Sequence, residues 1–459
     1  MTSSPPHVPH PPHLPANAVA LLDRFGNERM SGLWVLYHDY SAKACARWVP
    51  ASEVSDAIRD GVFFCRANLN FTLDDQQVPS PRFGADAGDF VALPDPETFA
   101  PVPYQAGVGR VLSYLHTEEG DLWEGCPRGQ LNAALARLAA QGLSARVAFE
   151  PEFTLFRKGA DGNYTPADAM PMYSAERLEA YTPLLDRIHT CLAAQDVRIV
   201  GMGSEYSGGQ MEINLHHETP LKAADDLVTL RETVKALARA DGLTASFMPK
   251  PFAHLAGNGV HVHLSLWDVA GGKSRSEGNG PLGLSPELAQ FMAGVLAHAP
   301  ALCGVFAPTV NSYKRLQPAT WAPAHVGYGS GNRAALVRVP GKARRRIEFR
   351  AGDHTANPYL ALTALIAAGL DGLARALDPG AEAHGDLGHL SASELAGQGI
   401  HTLPRSAGEA LAAVEADTTV MAALGPVCGP ELLRVKRDEL ARYEQQVSEW
   451  ERAVYLERV

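Results

Sequence analysis

The chain reads as an α+β protein, a small β-rich unit followed by a larger unit of mixed strands and helices. Three observations point there. Residues 17–107 alternate short apolar runs with clusters of Pro, Asp and Gly. From about residue 108, helical spacings alternate with strand-like runs. One of those runs, Val147-Ala148-Phe149-Glu150-Pro151-Glu152-Phe153, holds two carboxylates at the two-residue period of a strand. A length of 459 residues suits two to three domains at ~150 residues each. The expected division is a disordered Pro/His-rich tail over 1–16, a first domain over 17–107 and a second over 108–459.

Taken in order, Met1 to Pro15 lacks the apolar core of a signal peptide, and its Pro/His composition reads as a floppy tail rather than a metal-binding tract. Ala18 to Phe25 suits a short helix, with Asn17 as N-cap. Leu33–Tyr37 and Cys45–Val49 are strand-like, joined by the turn-rich Asp39-Tyr40-Ser41-Ala42. Phe90–Asp95 is a further apolar run. Val111–His116 reads as a strand, and Cys126-Pro127-Arg128 opens a helix to about Gln141, because proline suits a first helical turn. Helices are expected over Ser174–Ala194, Pro220–Ala240, Pro286–Cys303 and Pro358–Ala376, with two more closing the chain. Strands are expected over Leu243–Pro249, Val260–Leu266 and within 334–350.

Composition sets limits. The formal charge is −11 and the pI about 5.9, which argues against a general nucleic-acid partner. The six cysteines are far apart, form no CxxC pair and read as reduced thiols. No stretch reaches the ~20 apolar residues of a membrane span, so no membrane is expected and the default location is the cytoplasm.

The chemistry is concentrated in four segments. In the strand carrying Glu150 and Glu152, both acids face one side. Two adjacent carboxylates in an apolar run repel each other and lose hydration, which a hard divalent cation with oxygen ligands relieves. The alternative is a pair of exposed strand residues. Glu205 and Glu212 form a second acidic pair, separated by Gly208-Gly209, which let the loop bend inward. In Gly257-Asn258-Gly259-Val260-His261-Val262-His263-Leu264-Ser265, both imidazoles share a strand face, and Gly257 and Gly259 can bring backbone N–H groups to a ligand. Residues 311–350 concentrate cations, including Arg315, Arg333, Arg338, Lys342, Arg346 and Arg350, around the single acid Glu348. The guanidinium fork suits carboxylate and phosphate. No GxxxxGK[ST] loop is present, and Gly201-Met202-Gly203 lacks the third glycine of a dinucleotide fingerprint. A nucleotide here would be held by metal and arginine.

Together these segments resemble glutamine synthetase over nearly the whole chain after the tail. Phe149–Phe153, Phe247–Pro251, Gly259–His263, Asn311–Arg315, Arg345–Arg350 and Ala356–Leu360 match its motifs in order. The resemblance implies a β-grasp N-terminal domain, a catalytic domain with a curved antiparallel sheet, and double-ring homo-oligomers with sites between neighbouring subunits. It implies ATP and Mg²⁺ or Mn²⁺. By that likeness Glu152, Glu205 and Glu212 hold one metal, and Glu150, His261 and Glu348 the second. Arg315, Arg333 and Arg350 grip L-glutamate near Gly257. Arg338, Arg346, His263, Ser265 and Lys342 contact the nucleotide. Asp39 matches an aspartate given to the ammonium site of a neighbouring subunit.

One departure bears on the substrate. Members using ammonia carry a mobile glutamate six residues after the arginine matching Arg315; here that residue is Trp321. A tryptophan supplies an apolar wall or stacks over a cation, and supplies no negative charge. Thr320-Trp321-Ala322-Pro323 resembles the glutamate–amine ligase branch, most closely γ-glutamylmethylamide synthetases. Ala256 stands where many members have Asn, Met202-Gly203-Ser204 replaces histidines, Gly388 replaces an adenylylated tyrosine, and Tyr173 is a candidate match to an ammonium-site tyrosine. The expected activity is therefore ligation of glutamate to a primary amine through γ-glutamyl phosphate. Ordinary glutamine synthesis and a catalytically dead sensor or structural relative are the alternatives.

Overall fold

A computed structural model describes residues 14–341 and 344–459; residues 1–13, most of the expected tail, and Lys342 lie outside the described residues. The first helix, α1 (Ala16–Asn27), begins earlier than expected, with Pro15 at the N-cap. Asn17 sits inside its first turn instead, where Oδ1 accepts from the Ala18 N–H at 2.9 Å and Nδ2 donates to Glu97 Oε1 at 3.0 Å. Strands β1 (Gly32–His38), β2 (Ala44–Pro50), β3 (Val62–Cys65), β4 (Asp89–Pro94), β5 (Ala100–Pro101) and β6 (Val108–His116) form one sheet in the order β2-β1-β6-β4-β3, with β5 beside β6. Helix α2 (Val54–Asp60) packs against β4. The pairing β1–β6 is parallel and the rest are antiparallel, a mixed β-grasp-like sheet. The strand after residue 107 thus hydrogen-bonds in the first sheet, which extends past the boundary expected there.

Helix α3 (Pro127–Ala140) leads into the long strand β7 (Leu143–Lys158), the axis of the second sheet. With β8 (Tyr164–Pro166), β9 (Ile199–Ser204), β10 (Gln210–Leu215), β11 (Thr244–Ser246), β12 (Val260–Asp268), β14 (Tyr328–Ser330), β15 (Val337–Val339) and β16 (Ile347–Phe349) it forms a curved sheet ordered β14-β15-β16-β12-β7-β10-β9; β8 and β11 also pair with β7. A separate short pair joins β13 (His325–Val326) to β17 (His401–Thr402). All pairings in the large sheet are antiparallel except β14–β15. Along β7, buried and half-buried residues alternate from Leu143 to Glu152. The buried set (Leu143, Ala145, Val147, Phe149) packs under α3 and α5 (Pro220–Ala240), which turns the acids to the other face. Helix α4 (Ala175–Ala194) packs on α5.

The expected helix 286–303 is broken into α6 (Pro286–Ala297) and α7 (Ala299–Phe306), bent by 75°. Pro300 has no N–H for α6 to use and its ring blocks continuation, so a new helix starts. A short α8 (Ser312–Arg315) follows, and α9 (Pro358–Ala374) is buried along nearly its whole length. Two strand expectations shrink: Leu243–Pro249 to β11, next to Pro249 and Pro251, and 334–350 to β15 and β16, separated by Pro340 and by the left-handed Gly341 and Arg344. Five helices, not two, follow α9. Among the described residues no single helix is long and apolar enough to cross a membrane.

One continuous apolar core includes residues of both sheets. Polar joints reinforce it. Buried Arg128 meets Asp95 at 2.7 Å and Asp225 at 2.8 Å, and the Tyr359 hydroxyl donates to Asp225 at 2.7 Å. On the C-terminal helix Cys428–Glu444, Glu431 accepts from Asn70 at 2.7 Å and Lys436 donates to Ser41 at 2.8 Å. Removing one partner of a buried pair leaves the other charge uncompensated, so Arg128→Ala should lower stability by about 3–5 kcal/mol. Chemical denaturation followed by tryptophan fluorescence checks this; a loss below about 1 kcal/mol, the range of an exposed pair, would reject the joint as a stabilising contact.

Candidate active site

Cross-strand register assembles the site. Glu152 on β7 stands opposite Glu212 on β10, and Glu150 opposite His261 on β12. His263 stands opposite Glu348 on β16, which in turn pairs with Arg338 on β15. Four strands far apart in sequence thereby place acids and imidazoles side by side. Two groups of donor atoms result, each with its atoms within 4.8 Å of one another: Glu150, His261 and Glu348, and Glu152, Glu212 and His261. The first is the trio expected for one metal. The second contains His261 in place of Glu205. Glu205 lines the same cavity but falls outside both groups, and its Oε2 accepts from the Tyr173 hydroxyl at 2.9 Å.

The electrostatics show why a cation fits. His261 Nδ1 lies 3.8 Å from both Glu150 Oε2 and Glu348 Oε1, too far for hydrogen bonds. An ion with ligand distances of about 2.1 Å can touch both atoms of such a pair. Burial and then the charges of Glu150 and Glu152 push the Glu212 carboxyl up to about 8. Burial and Glu152 likewise raise Glu205. Burial also works to raise Glu150, but the facing His261 and His263 outweigh it and hold that carboxyl below the usual range. Burial, then Arg350, lowers His261, which keeps its ring neutral and suited to metal ligation. A carboxyl raised by burial and by neighbouring acids marks a place where a metal can take the proton's role.

Glu348 is fully buried and held from two sides, by Arg338 Nη1 at 2.6 Å and by Arg350. Burial would raise its carboxyl; Arg350, the histidines and Arg338 hold it down. Arg346 Nε donates to His263 Nδ1 at 3.0 Å, leaving Nε2 for the proton, 2.9 Å from Glu150 Oε1 but poorly aligned for a hydrogen bond. Arg315 is buried and spends its guanidinium on backbone, donating to the carbonyls of Ala351, Gly352 and Arg350 at 3.1–3.3 Å. Its packing leaves no room at Gly259, where a Cβ would lie 2.4 Å from Arg315 Nη2. At Gly209, with φ +70°, a Cβ would lie 2.4 Å from the Leu155 carbonyl oxygen, so the turn between Glu205 and Glu212 depends on glycine.

These residues surround a cavity of about 800 Å³. Glu150, Glu152, Glu205, Glu212, Gly257, His261, His263, Arg315, Trp321, Arg333, Arg338, Arg346 and Arg350 line it; Glu348 is buried behind Arg338 and Arg350. Two expected residues stand apart. Ser265 shares the strand face of His261 and His263 but lies beyond the cavity lining, where it accepts from the Trp267 indole at 2.9 Å. Asp39 is buried in the β1–β2 turn, where its Oδ1 accepts from the Ser41 and Lys43 N–H groups at 2.9 and 2.8 Å. It does not line the cavity of its own chain. Sequence reasoning passed over Tyr206, Gln210 and Lys250, which also line the cavity. Gln210 Nε2 donates to the Gly257 carbonyl at 2.9 Å, and Lys250 Nζ to that of Leu255 at 2.5 Å. Lys250 lies within the matched Phe247–Pro251 segment, which was the available signal.

A raised carboxyl must lose its proton before it can bind metal, so the metal-free protein should release protons on binding. With Glu212 at about 8, Mn²⁺ binding at pH 7 should release about one proton per protein from that group, and almost none above about pH 9.5. Apparent affinity should therefore rise with pH up to about 8 and then level. Calorimetry in buffers of different ionisation enthalpy reads the proton count. Release that is unchanged in Glu212→Gln would assign the proton elsewhere.

Residues 124–455 match the family model of the glutamine synthetase catalytic domain. A glutamine synthetase of Halobacterium salinarum is 35% identical over 450 residues, covering 96% of this chain and 97% of that protein. A glutamate–methylamine ligase of Methyloversatilis universalis is 36% identical over 432 residues, covering 91% and 94%. A solved structure described as a GmaS/ADP complex superposes with a TM-score of 0.86 at 33% identity, over 95% of this chain and 99% of that one. With this fold, this cavity and these matches together, the chain belongs to the glutamine synthetase family.

Proposed function

We propose that the protein joins the γ-carboxyl of L-glutamate to a primary amine other than ammonia, with ATP as the driving substrate. The observation that carries this is Trp321. It lines the cavity, at the position the sequence resemblance matches to a glutamate of ammonia-using members, and its ring meets Tyr206 at a centroid distance of 5.5 Å. The methylamine ligase and the GmaS structure support the same branch. The Halobacterium salinarum glutamine synthetase is equally similar, which keeps ammonia as the second reading. The two donor groups and the five arginines on the cavity are intact, which counts against an inactive relative.

A glutamate carboxylate oxygen attacks the γ-phosphorus of ATP, so two anions must meet. Divalent cations, Mg²⁺ or Mn²⁺, held by Glu150, His261 and Glu348 and by Glu152 and Glu212 would supply charge to the transferring phosphoryl group. Arg338, Arg346 and Arg350 add fixed positive charge along the cavity, oriented by Glu348, by His263 and by the Arg333 carbonyl, and the Arg333 side chain lines the same cavity. Arg315 sets the floor through its backbone contacts. The product, γ-glutamyl phosphate, has phosphate as leaving group. The amine nitrogen attacks the γ-carbonyl, the C–O bond to phosphate breaks, and the amine proton passes to Glu205, the lining carboxylate outside both metal groups.

ADP release should require glutamate, a divalent metal and an organic amine, and chelation should abolish it. Trp321→Glu restores a carboxylate at that wall. The ratio of kcat/KM for ammonium to that for an organic amine should rise about tenfold or more, equivalent to about 1.4 kcal/mol of differential stabilisation. Coupled ADP assays over an amine panel, with product mass, measure this. Efficient glutamine formation at modest ammonium with no turnover of organic amines would favour the second reading.

A further inference from the structure

Glu205 and Glu212 flank the turn between β9 and β10, and both line the cavity. Behind that turn lies Arg177, a fully buried cation in the first turn of α4. The N-terminal end of a helix is already positive, and a buried guanidinium loses its hydration. A cation is unfavourable there unless strong partners hold it. Its hydrogen bonds go to two irregular segments, 167–174 and 205–209, which supply the lining residues Tyr173, Glu205 and Tyr206. Nη1 donates to the carbonyls of Glu205 at 2.7 Å and Ser207 at 3.0 Å. Nη2 donates to the Met170 carbonyl, and Nε pairs with Asp168 Oδ1 at 3.0 Å. Resting on the metal-assisted ligase reading above, we propose that Arg177 and Asp168 are positioning residues that brace this turn, so that Glu205 and Glu212 face the cavity before a metal ion arrives.

Asp168 completes the brace from the other side. Its Oδ2 accepts from the Gly209 N–H at 2.8 Å and from the Tyr181 hydroxyl at 2.9 Å, and its Oδ1 from the Met170 N–H at 2.9 Å. Tyr181 lies four residues after Arg177 on α4, so both reach Asp168 from one helix face. The turn is therefore held at two carbonyls by a donor and at one amide by an acceptor. Little slack remains, since a Cβ at Gly208 would lie 2.1 Å from the Asp168 carbonyl oxygen. The segment pinned with it also carries Tyr173, whose hydroxyl donates to Glu205 Oε2. Arg177 thus bears on the Glu205 main chain directly and on its carboxylate through Tyr173.

The brace reaches the donor atoms through register. Gln210 opens β10 directly after the turn, and two residues on Glu212 stands opposite Glu152. The turn also ties to the Gly257 segment: Ser207 Oγ accepts from the Ala256 N–H at 2.6 Å, and Gln210 donates to the Gly257 carbonyl. Neither Arg177 nor Asp168 lines the cavity, so both act through the main chain of others. The need for such a brace is electrostatic. Glu152 acts to raise both Glu205 and Glu212, as expected of like charges held close. An unbraced turn would relieve that repulsion by swinging its acid outward. A braced one keeps the repulsion in place, and an entering cation relieves it.

The test uses the full-length protein. Calorimetry of Mn²⁺ binding to the metal-free protein should give an affinity lower by about tenfold or more in Asp168→Asn and in Arg177→Lys, whose single ammonium cannot span both segments. Arg187→Ala, which breaks an exposed α4 pair with Asp241, should leave that affinity unchanged. In turnover, the Mn²⁺ concentration for half-maximal ADP release should rise by a similar factor in the first two variants, while kcat at saturating Mn²⁺ stays within about threefold. In the metal-free wild type, the amides of Ser207, Gly209 and Gln210 should be protected from hydrogen exchange. Unchanged Mn²⁺ affinity in the folded variants, a lowered kcat with unmoved metal dependence, or unprotected turn amides would overturn the proposal. The exchange measurement decides it even where a variant does not fold. Absence of turnover with every amine would overturn the ligase reading instead, and the binding and exchange results would still judge the brace.

Discussion

Everything at this site follows from the need to neutralise a crowd of carboxylates. Four line one cavity and a fifth, Glu348, is buried at its edge. No arrangement of so many acids is stable unless positive charge is threaded through it. Arg338 and Arg350 clamp Glu348 permanently, while the rings of His261 and His263 face Glu150. Glu212 is left with no such partner and is pushed toward its protonated form. That residual imbalance suits the protein to metal, because a cation entering there completes a charge balance the fold leaves open.

The sheet makes this crowding possible. Its apolar face is locked onto α3 and α5 and a shared core, so the acid-bearing face cannot rotate away. Donors on β10, β7, β12 and β16 then meet through the fixed spacing between neighbouring strands. A one-residue slip in any of these registers would send its donor to the opposite face. The buried joints around Arg128 and along the C-terminal helix hold the first sheet against this assembly.

Much of this was legible in the chain. The period of Glu150 and Glu152 in an apolar run showed their shared face, and His261 and His263 did the same on their own strand. Which acid meets which imidazole was not legible, because register between strands a hundred residues apart depends on the whole sheet. Only the likeness to a known family grouped them; the donor atoms of Glu152, Glu212 and His261 lie within 4.8 Å of one another, with Glu205 on the same cavity. The break between α6 and α7 could have been read from Pro300 but was masked by the apolar run around it. The aromatic contact of Tyr206 with Trp321 was out of reach, since it depends on left-handed turns at residues that do not advertise them. Asp39 matched a family position by neighbourhood, a position given to the site of a neighbouring subunit, and its Oδ1 accepts within its own turn.

The carboxylate cluster and the aromatic rim belong to different mechanical parts. The metal-type donors and Arg338 ride on paired strands, whereas Trp321 sits on a loop between α8 and β13. Exchange of that loop would alter one wall of the cavity and leave the strand-borne donors in place. A lineage built this way can diversify its products by drifting at the rim, while its energy-coupling machinery stays inherited and intact.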